Sequence, residues 1–270
     1  MQAKTARWPW LLVIVVVAGA GWFLFEDQWP QGQAPSGALP ARSASPQTPP
    51  ATPPPQAAQP APAIAHPVDQ DAADPALPAL ADSDAVAWDA LAGVVGQGDA
   101  LAIVLRDHLI QRIVVMVDNL TKPSISRRAL ALQPIPGSFA VEEADGHSRI
   151  AAANAERYAP YVAAFTSANA DTLVAAYRRF YPLFQQAYVE LGYPNGYFND
   201  RLVKVLDHLL QAPQAPAAPE VQRDAQGQYR FVDPQLEGLS IGQKALVRLG
   251  PQQQQQVMAQ LRNLRAALTR

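Results

Sequence analysis

The chain has no cysteine, and only four of its 270 residues are histidine. Without thiols it can form no disulfide, no thiolate metal site and no cysteine nucleophile. The histidines stand apart as His66, His108, His147 and His208, and no pair has the i, i+4 spacing of a helical zinc site. No metal or cofactor is therefore expected. Charge is also sparse, with 16% Asp, Glu, Lys and Arg and a net charge of −2. Before Leu80, Lys4, Arg7 and Arg42 stand against Glu26, Asp27, Asp69, Asp71 and Asp74, which leaves eighteen basic and eighteen acidic residues from Leu80 onward. A neutral folded part lacks the basic excess with which proteins hold nucleic-acid phosphates, so no nucleic-acid partner is expected. Gly238-Leu-Ser-Ile-Gly242 has Gly-x-Ser-x-Gly spacing, but no nucleophile elbow is read there. Gly238-Leu-Ser-Ile-Gly-Gln-Lys244 is one residue short of a phosphate loop, and a turn, a Ser240 cap and a helix account for it.

Proline, by contrast, is plentiful and unevenly placed. Fourteen of the 26 prolines fall between Pro30 and Pro78, among Ala, Gln, Ser and Thr. Such a stretch buries too little apolar surface to offset its ordering entropy, and residues 26–79 are expected to be a disordered spacer. Residues 80–270 remain for a folded domain, about 190 residues and enough for one sizeable core.

The N-terminus reads MQAKTARWPWLLVIVVVAGAGWFLFEDQW. Residues 8–25, Trp8 to Phe25, carry no charge, and eighteen residues of helix span about 27 Å, close to a bilayer core. Lys4 and Arg7 in residues 1–7 precede the span while Glu26 and Asp27 follow it, so the positive-inside rule places the start in the cytoplasm and the bulk outside. Trp8, Trp10, Trp22 and Trp29 sit near the two interfaces. Ala18-Gly19-Ala20 resembles a signal-peptide cleavage site, yet the apolar run continues through Trp22-Phe-Leu-Phe25, which a short signal core does not need. The expectation is a single-pass inner-membrane anchor with the C-terminal domain in the periplasm.

Within the folded part the spacing is mostly helical, so a mainly α domain with one or two small β-hairpins is expected. Ser83 or Asp82 caps a helix to about Val95. Leu101, Leu105, Leu109, Ile113, Met116 and Leu120 recur at threes and fours, predicting one helix from Asp99 to Asp118-Asn119. Two hairpins are read, one turning at Asp145-Gly146 and one at Gln226-Gly227. A helix near Asn154 is interrupted by Pro160. The next, marked by Leu173, Tyr177, Phe180, Phe184 and Leu191, should kink at Pro182. Asn199 or Asp200 caps a helix through Leu210, with Arg201, Lys204, His208 and Gln211 on its solvent side. Ser240 opens a short helix, and Pro251 starts the last one. The narrow stripe Val257, Leu261, Leu264 and Leu268 leaves self-association open.

RIVVMVDNL, then YRRFYPLFQQAYVELGYPNGYFNDRLVKVLDHLL, then LSIGQKALVRLGP closely resemble bacterial domain-of-unknown-function family 3014. The resemblance covers nearly all of the folded part. It implies an envelope location with an N-terminal anchor and spacer, and it supplies no activity, cofactor or catalytic residue.

One stretch stands out for binding. Of 21 aromatics, eleven lie between Tyr158 and Phe198, and GYPNGYFND (residues 192–200) closes that run. Pro194-Asn195-Gly196 makes a turn, and Tyr193 and Phe198 staple the flanking helices. Tyrosine buries area while keeping a polar tip, so the corner also suits a recognition surface. Tyr193, Asn195, Tyr197, Asn199 and Asp200 are the candidate partner-binding residues, and no catalytic residue is assigned. The expected role is non-catalytic binding or scaffolding of an envelope protein or peptidoglycan. The alternative is a peptidoglycan-directed hydrolase, for which Glu142, Glu143, Glu190 and Asp200 are the candidate acids.

Overall fold

A computed structural model describes residues 63–69, 72–95, 98–126 and 129–270. The expected cytoplasmic start, the anchor at 8–25 and the spacer through 62 lie outside the described residues. Among the described residues no helix is long and apolar enough to cross a membrane.

Folded structure begins upstream of Leu80, the boundary expected from composition. Residues 63–69 lie against the domain, and Asp74 is fixed to it by its amide on the Arg179 carbonyl at 3.1 Å and by the Arg179 guanidinium on its carboxylate. A 3-10 turn at Leu80–Asp82 leads into α1 (Asp84–Val95).

The single helix expected from Asp99 is broken. α2 covers only Asp99–Ala102, and α3 runs Leu109–Asn119. Between them the chain is extended and pairs with a distant segment, Leu105 N donating to Ala131 O at 2.9 Å and Gln133 N to Ile103 O at 2.6 Å. The helix restarts at His108, whose left-handed backbone turns the chain. Asp84 caps the restart from α1, accepting the amides of His108 at 2.8 Å and Leu109 at 2.9 Å. The apolar run Ile113–Val117 is helical as expected, with Ile113, Val114, Met116 and Val117 buried.

Strands β1 (Val141–Ala144) and β2 (His147–Ile150) form the first hairpin, and β3 (Glu220–Arg223) and β4 (Tyr229–Phe231) the second. Ser148 pairs with Val221 and Arg149 with Glu220, so the two hairpins join into one antiparallel four-stranded sheet in the order β1-β2-β3-β4.

Between the hairpins lie α4 (Ala153–Thr166), α5 (Ala170–Glu190) and α6 (Phe198–Leu209). Neither Pro160 nor Pro182 ends its helix. Both prolines are exposed, so the carbonyls they leave without an amide partner face water rather than the core. Asn169 caps α5 by accepting the Thr172 amide at 3.0 Å. The chain closes with α7 (Pro234–Glu237), α8 (Ile241–Arg248) and α9 (Pro251–Leu268). A reciprocal Ser240–Gln243 capping box starts α8, as the Ser240 reading anticipated.

The core is helical. α3 packs on α5 and α6, and α9 packs on α4, α5 and α6. Val257, Leu261, Leu264 and Leu268 are all buried in it, so the stripe that left self-association open is used within the domain. Gly242 lets α8 approach closely: a Cβ there would lie 2.5 Å from Leu209 Cδ2 and 2.9 Å from the Leu120 carbonyl oxygen.

Candidate functional site

The corner between α5 and α6 is built on Gln185. Its Nε2 donates to Gly196 O and its Oε1 accepts the Phe198 amide, both at 2.8 Å, which satisfies an orphan donor at the start of α6. Gly196 N closes the turn onto Tyr193 O at 2.9 Å, with Pro194 and Asn195 between, as the sequence indicated. Phe198 stacks on Phe184 at 5.7 Å and Tyr193 on Tyr188 at 4.6 Å. A Cβ on Gly196 would sit 2.7 Å from Tyr188 Cε1, so this stacking requires glycine there.

Below the corner lies a buried charge centre that local pattern does not reveal. Asp118 is 3% exposed and accepts Arg201 Nε at 2.8 Å, Lys122 Nζ at 3.1 Å and the Tyr193 hydroxyl at 3.2 Å. Arg201 also donates to the Asp118 carbonyl and to Thr121 Oγ1. Arg201 was expected on a solvent face and instead bolts α6 to α3. His208, assigned to the same face, lies half-buried with Nε2 2.8 Å from Ser240 Oγ. Burial, with the Arg201 charge behind it, lowers its pKa.

Asn199 and Asp200 were expected to cap α6, but neither does: the cap residue is Tyr197, and its side chain makes no capping bond. Both face a segment from the far end of the chain. Asp200 Oδ1 accepts the His66 amide at 2.7 Å and Oδ2 the Ala65 amide at 3.0 Å. Asn199 Nδ2 donates to His66 O at 2.9 Å, and the Tyr197 hydroxyl oxygen accepts the Val68 amide at 2.8 Å. Val68 is 7% exposed and belongs to the core, whereas Pro67 beside it is exposed. Three of the five candidate residues thus converge on one ligand, the strap formed by residues 63–69. Tyr193 goes to Asp118 instead, and Asn195 stays exposed at the turn.

The Tyr197 ring lies 5.4 Å from that of Tyr181, whose hydroxyl donates to Gln185 Oε1 at 2.8 Å. Burial, reinforced by Tyr197, pushes the Tyr181 hydroxyl far above its ordinary pKa, and burial does the same to Tyr177 behind it. Both stay neutral and serve as packing with a hydrogen-bonding tip.

Each of the four bonds at residues 65–68 joins a corner side chain to a main-chain atom, so the corner reads backbone there and buries one side chain, Val68. Two bonds to the Asp200 carboxylate at about 2–3 kcal/mol each, two neutral bonds at about 1 kcal/mol each and about 2 kcal/mol for burying Val68 exceed by about 1–3 kcal/mol the cost of fixing seven residues at about 1 kcal/mol each. Docking is favourable but modest.

Elsewhere the charged groups are engaged in structure. Lys244, 2% exposed, donates to the Glu237 carbonyl and carboxylate at 3.1 and 3.0 Å. Burial opposes ionisation of Glu237, but Lys244 and the Phe231 amide outweigh it and hold the carboxyl below its usual range. Arg248 lies under Phe231 and Phe139 with Nη2 on Tyr229 O at 2.8 Å, and burial lowers it to about 10. Among the described residues no group of three or more His, Asp or Glu is placed to hold a metal.

The hydrolase candidates sit on separate elements. Glu142 is exposed on β1, Glu143 accepts the Ser148 hydroxyl, Glu190 accepts Gln186 Nε2, and Asp200 holds the strap. A cleft of about 500 Å³ between α4, the start of α9 and the loop at 216–219 is lined by Ala155, Ala163, Pro216, Pro219, Gln253 and their neighbours, with no carboxylate or imidazole among them. Gln254, in the glutamine run that opens α9, latches that loop through Ala215 N at 2.7 Å and Pro213 O at 2.8 Å.

Neither the curated proteins nor the solved structures contain a match to this chain. The family described as a protein of unknown function (DUF3014) matches residues 109–265, which take in α3 through most of α9 and thus the whole corner; the chain belongs to that family.

Proposed function

We propose that the protein is a single-pass, inner-membrane-anchored envelope protein whose helical periplasmic domain binds or scaffolds a protein or cell-wall partner without catalysing a reaction. The observation that carries this reading is the grip of Tyr197, Asn199 and Asp200 on the main chain of residues 65–68. It is a surface whose donors and acceptors match polypeptide, and such matching is how extended segments are recognised. The gripped strap lies within the proline-rich stretch read as the spacer, so the domain's point of attachment is placed at this corner. The anchor itself rests on the charge-free run Trp8 to Phe25 and its flanking charges.

Nothing in the arrangement of carboxylates favours the hydrolase reading. Asp200 is occupied in accepting two main-chain amides and stands on a different element from Glu142, Glu143 and Glu190.

The test has two arms. Protease added outside spheroplasts should digest residues 63–270 while leaving the N-terminal fragment in the membrane. A photo-crosslinking residue at Asn195, in the full chain in living cells, should capture one discrete envelope component that the same probe at Glu156 does not. Digestion only after cell lysis, or identical adducts from both positions, contradicts the proposal.

A further inference from the structure

The corner deserves to be considered as a binding site in its own right, because what fills it is a peptide with a definable pattern. Two consecutive amides go to one carboxylate, the second residue's carbonyl goes to Asn199, and the amide two residues further on goes to the Tyr197 hydroxyl. The residue between, Pro67, has no amide, and the site asks for none there. The only side chain taken deep into the domain is that of Val68. Proline at the skipped position and a small β-branched residue after it are therefore the sequence features this site accepts. Proline also holds the segment extended before it binds, which lowers the ordering cost.

The strap's hydrogen bonds to the corner run through residues 65–68, while Asp74 is held separately by Arg179, so release of residues 65–68 leaves the next anchor in place. The corner is braced from behind without the strap, by Gln185 on Gly196 and Phe198 and by Asp118 on Arg201 and Tyr193. Asn199 Oδ1 is buried and has no hydrogen-bond partner, so the strap leaves one acceptor of the site unused. A segment that supplied a donor there would bind better than the strap does.

We propose that the α5–α6 corner is an exchangeable clamp for extended, proline-containing polypeptide, with residues 63–69 as its resident ligand and an X-X-Pro-Val-like segment of a partner protein as the ligand it takes in trans. This deepens the binding reading above and rests on it. The strap competes at the high local concentration of a tethered segment, so the clamp is self-occluded until a partner outcompetes it.

The test uses the full chain in detergent micelles and a fluorescent synthetic peptide with the sequence of residues 63–69. Two variants open the clamp by different routes: Val68→Asp places a charge in the apolar site, and His66→Pro removes the shorter of the two amide bonds that Asp200 accepts. Unchanged thermal melting identifies the variant that keeps its fold. Each opened chain should bind the peptide saturably and at least about tenfold more tightly than the unaltered chain, in which the strap competes. Adding Asp200→Asn and Tyr197→Phe to an opened chain should weaken peptide binding by about tenfold or more. The proposal is overturned if folded, opened chains fail to bind the peptide, or if binding survives loss of both clamp residues. A discrete crosslink from Asn195 together with a negative peptide titration would leave the binding function standing and remove the clamp alone.

Discussion

The carboxylate of Asp200 receives the amide hydrogen of His66 at 2.7 Å, across 134 positions of sequence. The bond brings the end of a proline-rich stretch onto the first turn of a helix in the domain's second half. It also explains why an acid sits there without capping the helix it begins: its acceptor capacity is taken by another segment's backbone. Asp200→Asn keeps the shape and removes the charge, and hydrogen bonds to charged groups are worth more than neutral ones. Thermolysin cleavage within residues 63–69 should become about tenfold faster, equivalent to about 1.4 kcal/mol. The main unfolding transition should move by only a few degrees.

Asp118 should matter far more to stability. It is nearly buried and bonded to Arg201, Lys122 and Tyr193, so Asp118→Ala leaves the part-buried Arg201 guanidinium without its counter-ion and the Tyr193 hydroxyl without its acceptor. A loss of about 2–4 kcal/mol in urea unfolding is expected. The double replacement Asp118→Leu with Arg201→Met should recover much of it, because apolar residues of similar size leave no charge behind.

Gly196 is the most constrained position of the corner. A methyl there would meet Tyr188 Cε1 at 2.7 Å and Tyr193 Cβ at 2.9 Å. Gly196→Ala should cost about 1–3 kcal/mol and weaken the Tyr188–Tyr193 stack, seen as a change in near-ultraviolet circular dichroism.

Alkali should reveal the buried tyrosines. Burial raises the Tyr177 hydroxyl well above its ordinary 10.0, with Tyr181, Tyr197 and Asp200 adding to the shift. The unfolded chain then loses this proton first, so the folded state binds more protons and stability falls with rising pH. The contribution is full below pH 10 and declines above it. Tyr177→Phe should flatten the fall by one proton. Arg248 acts in the opposite direction, since burial lowers its pKa, and it is the same in both chains; the comparison therefore isolates Tyr177.

Much of this architecture can be read from local pattern. The period of Leu173, Tyr177, Phe180 and Phe184 defines α5, Asp145-Gly146 and Gln226-Gly227 mark both hairpins, and Pro251 starts α9 where expected. The failures share one cause, a partner far away in sequence. Leu101, Leu105 and Leu109 keep helical spacing through a break that exists because residues 103–105 pair with 131–133. Arg201 and His208 look solvent-facing until Asp118 and Ser240 arrive beside them. Composition assigns residues 63–79 to a spacer, and composition cannot register that Asp200 and Arg179 hold two points of that stretch. The candidate site was legible as a corner rich in tyrosine. Its ligand was not, because main-chain recognition leaves almost no trace in the sequence of what is recognised.

Hydrogen exchange of the full chain tests the central claim most directly, residue by residue at Ala65, His66 and Val68. The account predicts that these three amides are protected together, and that Asp200→Asn with Tyr197→Phe releases all three while the amides of α5 stay slow. Exchange at the rate of an unstructured peptide in the unaltered chain would contradict it.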